Sequence, residues 1–226
     1  MRAPVRPTVR AVGDRLRPLW NFDDLESSER RLRAELEKET ADSGRAEVLT
    51  QIARMHGLRD QFAQGEAVIK EAEALADEDT AARIRIDLER GRLLRSGGEP
   101  AAAFPLFRSA FAAAVSAGEQ FLAADAVHMA ALAAPDREAK LAWTQRGIDL
   151  ARASSDRQVS YWLGPLFNNL GVEYAEAGDH EAALDAFQRA LEVRLRYPEM
   201  PEAIDFARES VAEALRALGR EGDAAS

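Results

Sequence analysis

The side chains best suited to binding chemistry are arginines, carboxylates, amides and one histidine in the middle of the chain. Arginine offers a rigid fork of N–H donors that fits carboxylates, and amides pair well with peptide groups. Two successive asparagines in a helix suggest a use beyond helix formation, since asparagine is a mediocre helix former. The set is Gln51, Arg54, Arg85, Glu89, Arg92, Arg95, Asp125, His128, Asn168 and Asn169. These residue types predict a surface for an acidic segment or an extended peptide.

The sequence contains no recognisable catalytic or metal-binding constellation. Cysteine is absent, which excludes disulfides, thiolate catalysis and cysteine zinc sites. His56, His128 and His180 have no partner at the i,i+4 spacing that zinc sites use. The glycines from Gly91 to Gly98 are no phosphate loop, because no strand precedes them and no Gly-Lys-Ser/Thr follows. We therefore expect no enzyme, no cofactor and no metal site.

The stretch 167–190 indicates which elements position these side chains. Apolar and small residues recur at helical spacing in both halves, namely Phe167, Leu170, Gly171 and Tyr174, then Ala183, Phe187 and Ala190. Between the halves, Gly178 stands where the first helix must end, and Asp179 stands where the second needs an N-cap. The pattern predicts two antiparallel helices joined by a tight turn.

This hairpin resembles a tetratricopeptide repeat. The pattern W-x2-L-G-x2-Y…A-x3-F…P is matched in order, with Phe167 replacing the tryptophan and Pro198 about one turn late. Taking Ala53, Gly91, Ala131, Gly171 and Ala212 as equivalent positions of close helix approach gives steps of 38, 40, 40 and 41. The period is thus near 40 residues. In this respect the chain resembles the longer tetratricopeptide variants found in the sensor regions of bacterial regulators and in motor light chains.

The resemblance covers residues 45–219 and implies an all-α, right-handed superhelical solenoid of antiparallel pairs with about ten helices. We expect hairpins at about 45–77, 80–117, 119–153 and 157–196, and a capping helix at 200–219. Before them, Asp23 and Asp24 precede a helix expected from Leu25 to about Thr40. Residues 1–18 hold scattered prolines and arginines without an apolar period, so we expect a disordered basic arm ahead of a single domain over 19–226.

Charge and hydropathy narrow the possible partners. The 226 residues carry a formal charge of −9, with a pI near 5.0, which argues against a general binder of nucleic acid or anionic membranes. Residues 1–20 contain five arginines and one aspartate, so this segment is +4 and the remainder is −13. The more specific interpretation of that segment is an arm that binds nucleic acid, but it lacks the aromatic residues that alternate with basic ones in such arms. With no secretory signal or membrane span, we expect a cytoplasmic protein.

The resemblance implies that the first helix of each pair lines a concave groove, and helical phase places the ten polar residues there. The main prediction is a protein-interaction module that binds a protein or peptide, such as an acidic or C-terminal segment, in this groove. The alternative is a small-molecule or peptide sensor that regulates a separate partner, since we expect no room for a fused effector domain. An enzyme would require an enclosed pocket gathering Arg92, His128 and Asn168. The same residues could also simply face solvent.

If the groove binds a ligand, we expect Arg92→Ala and Asn169→Ala to weaken binding without lowering the melting temperature. Oligomeric state is left open by the sequence.

Overall fold

The computed structural model describes residues 14–76 and 80–220, and it is all-α within these ranges. Ten helices have 14 to 18 residues, as expected for an all-α solenoid. Their bounds are α1 Leu25–Lys38, α2 Asp42–Gly57, α3 Phe62–Leu75, α4 Thr80–Ser96, α5 Pro100–Ala117, α6 Gln120–Ala133, α7 Arg137–Ala153, α9 Leu163–Glu176, α10 His180–Arg194 and α11 Pro201–Ala217. A single turn, α8 Arg157–Ser160, lies between α7 and α9.

The helices pack as a linear stack of pairs. Within a pair, α2 contacts α3, α4 contacts α5, α6 contacts α7 and α9 contacts α10. Between pairs, α2 packs on α4, α4 on α6, and α7 on α9. The helix α1 covers the start of the stack through α2, and α11 covers its end through α10. Each pair therefore buries its apolar faces against its neighbours, as in helical-repeat proteins.

Tight turns and caps join the helices of a pair. Gly178 has φ +77°, a left-handed conformation that favours glycine, and the Asp179 carboxylate accepts a hydrogen bond from the Ala182 N–H. The predicted helix stop and N-cap are both confirmed at this turn. The Asp24 carboxylate likewise caps α1 by accepting from Ser27 N–H at 2.9 Å.

Glycines permit close packing in successive pairs. A Cβ on Gly91 would lie 2.5 Å from the Phe107 ring, and a Cβ on Gly171 would lie 2.5 Å from the Phe187 ring. These two glycines, two pairs apart, thus have matching surroundings. In the pair between them, Gly147 of α7 stands at the position that corresponds to these phenylalanines. A Cβ there would lie 2.7 Å from Leu166, whose side chain enters from α9 and fills the space.

The segment before α1 corrects our placement of the domain boundary after residue 18. Residues 1–13 of the expected arm lie outside the described residues, but residues 14–18 belong to the fold. Leu16 is 1% exposed and Trp20 is 8% exposed, with a 3-10 turn at Arg17–Leu19 between them. The Asp14 N–H donates to Gln158 Oε1 at 2.7 Å, so the segment spans from the first helices to α8. Burial of Leu16 and Trp20 offsets the cost of ordering these charged residues.

Candidate functional site: the concave groove

Two adjoining cavities lie in the protein, and the inner one follows the inner faces of the first helices of three pairs. The inner cavity has a volume of about 280 Å³ and lies between α2, α4, α6 and the segment 14–22. Seven of the ten predicted groove residues line it: Gln51, Arg54, Arg85, Glu89, Arg92, Asp125 and His128. Helical phase brings them together, since α2, α4 and α6 pack side by side and present equivalent faces.

The outer cavity has a volume of about 810 Å³ and opens between the segment 17–23, α8 and the start of α11. It shares Arg17, Trp20, Phe22, Phe121, Tyr161 and Met200 with the inner cavity, so the two form one groove. Its wall is aromatic and charged, because Tyr197 joins these rings and the carboxylates of Asp23, Asp156, Glu199 and Glu202 face the same space. We call the two cavities together the concave groove.

At one end of the inner cavity, Arg85 is paired with two carboxylates. It donates to Asp14 at 2.5 Å and to Glu47 at 2.9 Å, with its own side chain 7% exposed. Burial alone would lower the pKa of Arg85, but the two carboxylates outweigh it and raise the pKa. Arg85 is therefore held as a cation, with its Nε and Nη2 donors already engaged.

In the middle of the inner cavity, Arg92 bridges two buried carboxylates. It donates to Glu89 Oε1 at 2.6 Å and also to Asp125. Glu89 is 2% exposed and Asp125 is 4% exposed. Burial raises the pKa of Asp125, yet the charges of Arg92 and Arg54 outweigh burial and hold it below its usual value. The trio is an ion network that depends on its central guanidinium.

Arg54 differs from these two arginines because it donates no hydrogen bond to any described residue. Its closest carboxylate oxygen is Glu89 Oε1 at 4.0 Å. Its guanidinium lies 5.3 Å from the Trp20 ring and 5.5 Å from the Phe22 ring. Burial, followed by repulsion from Arg92, lowers the pKa of Arg54. The indole N–H of Trp20 donates to Gln51 Oε1 at 3.0 Å, which fixes this stack.

Three buried polar atoms on residues lining the inner cavity have no hydrogen-bond partner among the described residues. They are Glu89 Oε2, His128 Nδ1 and Trp162 Nε1. His128 lies 5.1 Å from Trp162 between ring centroids, and burial lowers its pKa from the ordinary 6.5 to about 4. The imidazole is therefore neutral at pH 7. Unpartnered buried polar atoms are costly, so they mark where a bound group or water would add stability.

Three predicted groove residues do not line either cavity. Asn168 accepts from the Ser210 hydroxyl at 3.4 Å, which places it at the contact of α9 with α11. Asn169 is partly buried with its Nδ2 unpartnered among the described residues, and Arg95 lies outside the cavity wall. Neither of the two cavities therefore brings Arg92, His128 and Asn168 together.

The sequence analysis missed the groove residues that precede α1 and those near α8. Asp14 and Arg17 fall within the expected arm, and no spacing signal links them or Phe22 to α4. Trp162 packs on Phe121 and His128, Tyr161 packs on Trp162 and Tyr197, and both residues line the groove. The two adjacent aromatic residues, Tyr161 and Trp162, were the only signal in the sequence for this part of the groove.

The described parts of the chain contain no group of three or more His, Asp or Glu placed to hold a metal ion. Among the described helices, none is both long enough and apolar enough to cross a bilayer.

Comparisons with known proteins agree with this architecture. A family model described as "Tetratricopeptide repeat" matches residues 165–194, which span the hairpin of α9 and α10. The structure is similar to the crystal structure of BtubC (BKLC) from P. vanneervenii, with a TM-score of 0.68 and 17% sequence identity. This similarity covers 92% of the present chain and 85% of the BtubC chain. No curated protein sequence matches. The chain thus has an all-α helical-repeat fold, in which the hairpin of α9 and α10 matches a tetratricopeptide repeat.

Proposed function

We propose that this chain is a protein-interaction module whose concave groove binds an extended segment of a partner protein. The observation that carries the proposal is the continuity of the two cavities, which share five aromatic or cationic residues in their walls. The match to a tetratricopeptide repeat supports protein interaction in general. We propose no catalytic role.

The shape of the groove favours a peptide over a compact ligand. It runs from the α2, α4 and α6 faces to α8 and the start of α11, so successive residues of an extended chain would meet different helices. The outer cavity offers the rings of Phe22, Phe121 and Tyr161 as rigid contact area. Aromatic side chains of this kind dominate binding energy at protein interfaces.

The second candidate, a sensor of a small molecule, is favoured by one observation. The inner cavity is small, at about 280 Å³, and holds the unpartnered Glu89 Oε2 on a side chain that is 2% exposed. A small polar ligand that filled only this cavity would satisfy that oxygen. Such a ligand would not contact the aromatic rings of the outer cavity, whereas a bound peptide would. The effect of removing one of these rings therefore distinguishes the two candidate functions.

The test is a selection of displayed random peptides against the immobilised full chain, followed by measurement of binding by fluorescence anisotropy. Phe22 is 41% exposed in the groove, whereas Phe206 is 54% exposed on α11 outside it, so Phe22→Ala and Phe206→Ala form a matched pair. We expect selected peptides to lose affinity about tenfold in Phe22→Ala and to be unaffected in Phe206→Ala. Peptides that bind both variants like wild type, or failure to select any peptide, would refute the proposal.

A further inference from the structure

We infer that the segment bound in the concave groove is positively charged, with lysine or arginine side chains lying over the aromatic rings of the outer cavity. This inference rests on the proposed function, because it names the chemistry of the ligand of the same groove. The sequence analysis, which counts several arginines among these residues, predicts an acidic ligand instead.

The first reason is that the two central arginines are already neutralised. Arg85 faces Asp14 and Glu47, and Arg92 faces Glu89 and Asp125. Each guanidinium already meets two carboxylates, of which Glu47 also pairs with Arg15 and Glu89 also lies 4.0 Å from Arg54. A carboxylate from a ligand would enter as a third anion at either guanidinium and would displace an existing partner.

The second reason is the overall balance of charge in the groove wall. Five arginines and seven carboxylates line the two cavities. The arginines are Arg17, Arg54, Arg85, Arg92 and Arg157, and the carboxylates are Asp14, Asp23, Glu89, Asp125, Asp156, Glu199 and Glu202. The wall is therefore net negative, and the formal charge of −9 on the whole chain acts in the same direction. Such a field steers basic segments toward the groove.

The third reason is the arrangement of rings and free carboxylates in the outer cavity. Asp23 and Glu202 are exposed and form no ion pair with another described residue. They lie before α1 and in the first turn of α11, with aromatic rings in the same wall. The chain itself places the Arg157 guanidinium 4.5 Å from the centroid of the Tyr197 ring. Aromatic faces bordered by carboxylates are a favourable site for ammonium and guanidinium groups.

The fourth reason lies at the inner end of the groove. Glu89 Oε2 accepts no hydrogen bond, although its side chain is 2% exposed and lines the cavity. A lysine ammonium carries three donors and no acceptor, which is what this oxygen lacks. A lysine side chain long enough to reach inward from the outer cavity would supply that donor. Arg54 stacks on Trp20 and lies 4.0 Å from Glu89 Oε1, so it gives Glu89 Oε2 no hydrogen bond.

The experiment compares two labelled peptides of about twelve residues, one alternating lysine and alanine and the other glutamate and alanine, by anisotropy with the full chain. The groove variant is Asp23→Asn with Glu202→Gln. The control variant is Glu176→Gln with Glu209→Gln, which removes the same charge from exposed sites outside the groove. We expect the lysine peptide to bind about tenfold more tightly, and the groove variant to weaken it about fivefold at about 50 mM salt.

The inference is overturned if the glutamate peptide binds as well as the lysine peptide, or if the control variant weakens binding as much as the groove variant. The second result would indicate attraction by net charge alone. Failure of the inference differs from failure of the proposed function. Selected peptides that need Phe22 but carry no positive charge would refute only the inference, whereas the absence of any peptide that needs Phe22 would refute the proposed function.

Discussion

Replacement of Arg92 by alanine tests the ion network at the centre of the groove. Arg92 is the bridge between Glu89, 2% exposed, and Asp125, 4% exposed. Its removal leaves two carboxylates close together in a buried site, with Arg54 the nearest remaining cation to Glu89 at 4.0 Å. Breaking a buried pair by removing one partner typically costs about 3–5 kcal/mol. We therefore expect Arg92→Ala to lower the melting temperature by about 10 °C.

The control for this variant is Arg95→Ala, one turn further along the same helix. Arg95 makes no ion pair with another described residue, so its loss should cost less than about 1 kcal/mol. Both variants are compared by urea unfolding and by calorimetry at pH 7 and pH 5. Burial raises the pKa of Asp125 and Arg92 is the main charge that opposes this, so without Arg92 the pKa of Asp125 should rise. The penalty should then shrink as the pH falls and Asp125 becomes protonated.

Equal destabilisation by the two substitutions would refute the network argument, as would a penalty for Arg92→Ala that grows on acidification. The expected result also revises the sequence-based expectation that Arg92→Ala would spare stability. In the structure, loss of binding by this variant would be mixed with loss of folding, which makes Phe22 the better probe of the groove.

Two further predictions concern protonation and packing. The pKa of His128 is about 4 in the folded chain against an ordinary 6.5, so only the unfolded chain gains a proton between these values and stability falls as the pH drops from 6.5 to 4. The loss in the free energy of unfolding should reach up to about 3 kcal/mol. In urea melts, His128→Gln should make this free energy less dependent on pH. If it depends on pH equally in wild type and variant, protonation of His128 is not the cause. Gly171→Ala should cost about 1–3 kcal/mol because its Cβ would lie 2.5 Å from the rigid Phe187 ring, whereas Gly44→Ala, whose Cβ meets only the flexible Glu39 carboxylate, should be tolerated. Calorimetry of both glycine variants checks this, and equal costs would contradict the packing argument.

The fold was predictable because its signals are local. Gly178 predicts the end of one helix and Asp179 predicts the N-cap of the next. In the structure Gly178 has a left-handed conformation after α9, and Asp179 caps α10. The inner faces of α2, α4 and α6 were also predictable, since helical periodicity assigns Arg54, Arg92 and Asp125 to one side of their helices. Seven of the ten predicted residues line the inner cavity for this reason.

The charge of the groove was not predictable, because it depends on pairings between residues distant in sequence. Asp14 and Arg85 are separated by 71 positions, and no spacing rule connects a residue before α1 to one on α4. The contact of Asn168 was not predictable for a similar reason, since its partner Ser210 comes from the capping helix. A list of residue types counts the arginines correctly, but only the structure tells which of them already have partners.

The hydrogen bond from Asp14 N–H to Gln158 has a consequence for how the array unfolds. Stacks of helix pairs usually depend on contacts between neighbours, so their ends can fray independently of the rest. Here a hydrogen bond across 144 positions ties the segment before α1 to α8, the turn that precedes the last pair. Closing so large a loop slows folding, but once closed it makes opening at one end disturb the other. We expect this chain to lose its structure in a single cooperative step and not repeat by repeat.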